Sequence, residues 1–165
     1  MVYPAAGFNV FATANTKGKG SDDGRYIGTN ILNEAFLERF AVTFNQEYPD
    51  AKVETKIVQN LMKSYNCLDE SFADTLVKWA EAIRRTFDAG GVDETITTRR
   101  LVHIVRAFSI FKNQKKAVEL CTNRFDDATR LAFVDLFDKV SSGDVVVEAE
   151  QVPTAVANEE TEIPF

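Results

Sequence analysis

The chain has 165 residues, 45% hydrophobic and 27% charged, with a formal net charge of −6. Those values suit one globular domain, or one and a half small ones, with room for a real core. They exclude a strongly basic nucleic-acid binder, and no apolar run approaches the ~20 residues that a bilayer crossing needs. The charge sits at one end: residues 141–165 hold six acids and no Lys or Arg, so the rest carries as many bases as acids. Cys67 and Cys121 are far apart and not in a metal spacing. They read as reduced thiols of a cytoplasmic protein, with a disulfide as the alternative. The N-terminus lacks the basic and apolar regions of a signal peptide.

Phe8 to Ala14 is apolar nearly throughout, the pattern of a strand buried on both faces of a parallel sheet. Thr16 to Tyr26 is rich in Gly, Asp and Lys and reads as a polar loop. Thr29 is placed to cap a short amphipathic helix carrying Ile31, Leu32, Ala35 and Phe36 and ending near Arg39. Phe40 to Phe44 has strand propensity, and Glu47-Tyr48-Pro49-Asp50 turns out of it. Beyond Asp50 the periodicity is helical. Val53, Ile57, Val58, Leu61 and Met62 share one face of a first helix. Asp69 caps a second, with Phe72, Leu76, Trp79, Ala80, Ile83 and Phe87 inward and Gly90-Gly91 as its stop. A third starts near Thr97 or Thr98, with Leu101, Ile104, Val105, Phe108 and Phe111 inward, and Lys112-Asn113-Gln114 breaks it. Shorter helices are expected around Ala117 to Cys121 and Asp126 to Val140. The expected fold class is an α/β fragment, the two-stranded edge of a parallel sheet over residues 1–49, followed by an all-α bundle over 50–140. Residues 141–165 read as a disordered acidic tail.

Three blocks carry a family resemblance. They are Phe11-Ala12-Thr13-Ala14-Asn15, Gly24-x-Tyr26-x-Gly28-Thr29, and Leu32-Asn33-x-Ala35-x-Leu37-x-Arg39-Phe40, with Thr97-Thr98-Arg99 opening a helix later. In that order they resemble the C-terminal part of AAA+ ATPases, and within these the MoxR-type group that includes CobS and its phage-encoded relatives. The resemblance covers roughly Phe8 to Val140. It implies that Asn15 is sensor 1, a short amide at a strand end that orients the attacking water. It implies that Arg39 is the arginine finger reaching a neighbouring subunit's site, where a guanidinium touches several phosphate oxygens. It also implies that Arg99 is sensor 2, a lid arginine contacting nucleotide in its own subunit. The alternatives stay open on the residues alone: Asn15 also fits a turn, Arg39 a surface pair with Glu34 or Glu38, and Arg99 a solvated position beside Arg100.

The resemblance further implies ATP and Mg2+ as cofactors of the complete protein and a homo-oligomeric, hexameric ring. It also implies a partner with a von Willebrand A-type domain, and the cytoplasm of a bacterium or a phage-infected host. Gly18-Lys19-Gly20-Ser21 does not meet the Gly-x-x-x-x-Gly-Lys-Ser/Thr pattern and follows a strand of the sensor type, so it reads as a surface insertion. With the phosphate-loop half not among these residues, the expectation is a sensor and lid portion that is inactive alone. A split protein, with the phosphate loop on a separate chain, fits as well. His103, the single histidine, reads as a core-edge residue, and the pairs Arg84-Arg85 and Lys115-Lys116 as solvated. The acidic run ending in Ile163-Pro164-Phe165 resembles the C-terminal tip of bacterial single-stranded-DNA-binding proteins. On that reading the chain is instead a non-enzymatic interaction module, whose bundle and tail recruit a partner in DNA metabolism.

Overall fold

The computed structural model describes residues 3–14 and 30–144. The chain divides into two compact units, Met1–Glu47 and Tyr48–Phe165. In the first, the described residues form one helical turn, α1 (Glu34–Leu37), capped by the Asn33 side chain, which accepts from the Ala35 amide at 2.8 Å. Thr29, the expected cap, lies outside the described residues. None of the residues of α1 is buried, so nothing offsets the nucleation cost of extending it.

The expected sheet edge is not formed among the described residues. Residues 8–14 and 40–44 are irregular, and Phe8, Phe11, Val42 and Phe44 are exposed. A strand that is apolar on both faces is stable only between neighbouring strands and covering helices. The described residues supply neither.

The second unit is a bundle of five helices: α2 (Ala51–Ser64), α3 (Glu70–Asp88), α4 (Thr98–Phe111), α5 (Gln114–Thr122) and α6 (Asp127–Ser142). Four caps fall where short polar side chains precede apolar stripes. Asp69, Thr97, Asn113 and Asp126 each accept from a backbone N–H three residues on. α3 ends in a Schellman motif: Gly90 adopts φ +75°, its N–H bonds the Phe87 carbonyl, and that of Gly91 bonds Thr86. Lys112 turns the chain into α5 with a left-handed φ of 52°.

α3 packs against α2, α4 and α6, and α4 pairs with α2 and α5. The core is Phe72, Leu76, Trp79, Ile83, Leu101, Ile104, Phe133 and Phe137, with Val58 and Met62 from α2. Trp79 meets Phe133 and Phe137 edge-on, Phe137 also meets Phe72, and the indole donates to the Phe133 carbonyl at 2.8 Å. Each such side chain, fully buried, contributes about 1.5–3 kcal/mol. Those contacts set α6 antiparallel to α3. The α2 face differs from the expectation at two positions: Val53 and Ile57 are exposed, and the inward stripe is Glu54, Val58 and Met62. His103 is exposed rather than at the core edge. α6 runs through Ser142, and residues 145–165 lie outside the described residues.

Candidate functional site

The polar centre of the bundle lies where α2, α3 and the start of α4 meet. Glu54 is on the buried stripe of α2 and Arg84 on that of α3, at 1% and 8% exposure. The guanidinium and carboxylate pair in both prongs, Nη1 to Oε2 and Nη2 to Oε1, each at 2.8 Å. Arg84 Nε donates to the Ile96 carbonyl at 2.8 Å, so all three faces of the fork are used. The Tyr48 ring lies 3.9 Å from the guanidinium carbon, a cation–π contact. Thr98 Oγ1 donates to Glu54 Oε1 at 2.6 Å.

Thr98 is the first residue of α4, and Ile96 sits just ahead of its cap Thr97. The pair therefore grips the segment entering α4 at a carbonyl and at a hydroxyl. Arg99 follows directly, exposed, in the first turn of that helix. Its neighbour Arg100 turns inward, with its guanidinium carbon 6.0 Å from the Phe125 ring, whose other cation is Arg124 at 5.1 Å. Burial, and then repulsion from Arg124, hold Arg100 below the ordinary arginine value. Burial pushes the Cys121 thiol up, partly opposed by Arg100. Both cysteines are free. Of the two adjacent arginines, Arg99 is the one presented to solvent.

Arg39 belongs to the first unit, in the turn after α1, where its N–H bonds the Phe36 carbonyl at 3.2 Å and the residue is exposed. Asn15, the Lys17 to Arg25 loop and the tail residues Ile163, Pro164 and Phe165 lie outside the described residues. Glu54 and Tyr48 are not among the expected site residues, and Arg84, expected to be solvated, is buried. A signal was present: Glu54 is in phase with Val58 and Met62, and Arg84 with Leu76 and Ala80, so two opposite charges sit on core stripes of successive helices.

The C-terminal family of CbbQ, NirQ and NorQ matches residues 54–137, from the buried glutamate through the α6 core. The chain belongs to this CbbQ/NirQ/NorQ C-terminal family. It is also similar to the aerobic cobaltochelatase subunit CobS of a Sinorhizobium species, with 27% identity over 103 residues, 62% of this chain and 31% of that protein. The chain thus spans about a third of the length of that curated relative. These likenesses bear out the resemblance: the residues correspond to the C-terminal part of a MoxR/CobS-like AAA+ protein, and the helical bundle fits a lid. No helix of the described residues is long and apolar enough to cross a membrane.

Proposed function

We propose that this chain supplies the lid and the trans-acting arginine of an AAA+ ATPase subunit that works in a ring, most simply a hexamer. In it, ATP turnover drives remodelling of a partner protein or metal insertion into it. The observation that carries this reading is the start of α4, where Thr98 is fixed to the buried Glu54–Arg84 pair and Arg99 is left facing solvent. A guanidinium held on a fixed first turn fits phosphate oxygens. In this reading Arg99 contacts the nucleotide of its own subunit, and Arg39 steadies the transferring phosphoryl group of the next. Asn15, at the end of a strand that residues 8–14 form once sheet neighbours are present, orients the attacking water. The phosphate loop comes from residues other than these, on the same polypeptide or on a partner. Among the described residues no group of three or more His, Cys, Asp and Glu is arranged to hold a metal ion. A von Willebrand A-type protein is the proposed client, and the cytoplasm the proposed location.

The test is ATP turnover by this chain co-assembled with a phosphate-loop segment of the CobS type. Arg39→Ala is expected to lower kcat by about 10³-fold or more, the scale of arginine-finger loss. A mixed ring should recover part of it. Arg99→Ala is expected to raise the KM for ATP while the ring still forms. Unchanged kcat and KM in both variants would sink the assignment, and robust turnover by the isolated chain would show that no outside phosphate loop is needed.

A further inference from the structure

One end of the bundle carries an apolar surface that none of the described residues of the second unit covers. Glu54 and Thr98 bring together the N-terminal ends of α2 and α4, so the C-terminal ends of both helices lie at the other end of the bundle. There the Gln114 amide donates to Asp69 Oδ2 at 2.8 Å, tying the α4–α5 turn to the α2–α3 turn. Leu68 is 46% exposed, Phe111 50% and Ile110 66% on these joined turns. Exposed lysines Lys63, Lys112 and Lys116 stand on the same two turns or the helix ends that enter them. Lys115 is also there but is already paired with Asp138 at 2.6 Å. The patch is thus apolar, with Lys63, Lys112 and Lys116 on its rim against one exposed acid, Glu70.

α6 delivers the chain to the same end. Its Phe137 packs on Phe72 near the start of α3, and Asp138 reaches Lys115 near the start of α5. Past Asp144 come residues 145–165, with Glu148, Glu150, Glu159, Glu160 and Glu162, no Lys or Arg, and then Ile163, Pro164 and Phe165. A segment of that length reaches up to about 70 Å. The patch lies well inside that radius.

We infer that the acidic segment docks on its own lid, with Ile163 and Phe165 on the Leu68–Ile110–Phe111 surface and its glutamates on Lys112 and Lys116. The occupant is the chain's own segment rather than a second copy because of concentration. A short tether sets a local concentration of the order of millimolar, so a contact too weak to form between micromolar molecules is populated within one. The charge rim sets direction, and the two apolar anchors give most of the contact. Docking closes a loop that covers the α4–α5 turn, so any outside receptor for the segment has to displace it.

Amide hydrogen exchange of the full chain tests this. In the wild-type chain, exchange at residues 66–69 and 109–113 is expected to be about fivefold slower than in Phe165→Ala, the scale of a weak local closure. Raising salt to about 1 M, where the Debye length shrinks to ~3 Å, should remove only the smaller, electrostatic part of that difference. Lys116→Glu, at an exposed position, should speed exchange at 66–69 in the same way while leaving the Trp79 core unchanged. The protection should be independent of protein concentration, with the mass of a monomer. Equal exchange in wild type and Phe165→Ala overturns the inference. So does protection that grows with concentration alongside a dimer, which would hand the patch to a second copy.

Discussion

Replacing Arg84 by Met removes the one cation among the described residues that pairs with Glu54. The carboxylate is 1% exposed, and Thr98 Oγ1 alone remains to stabilise it. Breaking a buried ion pair by deleting one partner typically costs about 3–5 kcal/mol, because the remaining charge has lost its counterion and cannot reach water. A domain of this size has only about 5–15 kcal/mol of stability in all. At about 4–8 °C per kcal/mol, the Arg84→Met variant should melt at least ~12 °C lower. The double variant Glu54→Leu with Arg84→Met removes both charges and should recover at least half of that loss, since apolar replacements of buried pairs are often neutral or better. Urea titrations followed by helical circular dichroism and by the fluorescence of Trp79, the single tryptophan, give both numbers. A loss below about 1 kcal/mol in Arg84→Met would refute the reasoning, because a loss that small is what an exposed pair gives. A double variant as unstable as the sum of the singles would refute it as well.

Asp69→Ala removes the α3 cap and the acceptor of Gln114, and should cost about 1–2 kcal/mol in the same titration. Gly90→Ala meets no neighbour but forces a side chain to φ +75°, so a loss of about 1–2 kcal/mol is expected, smaller for Gly90→Asn. Two surface groups contribute to the pH dependence of stability. Hydrogen bonds from Thr129 hold the Asp126 carboxyl below the usual carboxylate range, so its contribution is complete above about pH 4 and is lost as pH falls further. The Asp138 carboxylate holds Lys115 above the usual lysine value, so that contribution is complete below about pH 10 and is lost as pH rises further. Melting temperature should be flat from about pH 4 up to the ordinary thiol range near pH 8.5, where the raised Cys121 starts to add to the alkaline loss. Asp126→Asn should flatten the acid side and Lys115→Met the alkaline side.

The helices were legible because each signal was local. Asp69, Thr97, Asn113 and Asp126 cap within three residues of themselves, and the apolar stripes of α3 and α4 need no partner to be counted. Phe111 shows the limit: it continues the α4 stripe yet is half exposed, because the helix outruns the body it packs on. The strands at 8–14 and 40–44 were read from apolar content alone, and that content cannot form a ladder without another strand to bond. Arg39 and Arg99 were legible only through the family blocks around them. Glu54 and Arg84 were illegible for the opposite reason: charge was read as exposure, although their phase on two helices already placed them inside.

The indole bond from Trp79 to Phe133 joins residues 54 apart in sequence. During synthesis, α2 to α5 leave the ribosome with the heaviest core side chain still wet on one side. The bundle cannot dry its centre until α6 has been made and has cleared the exit tunnel. A nascent chain that ends before Phe133 therefore leaves Trp79 without the aromatic partners that enclose it, and α6 is the element whose arrival closes the bundle.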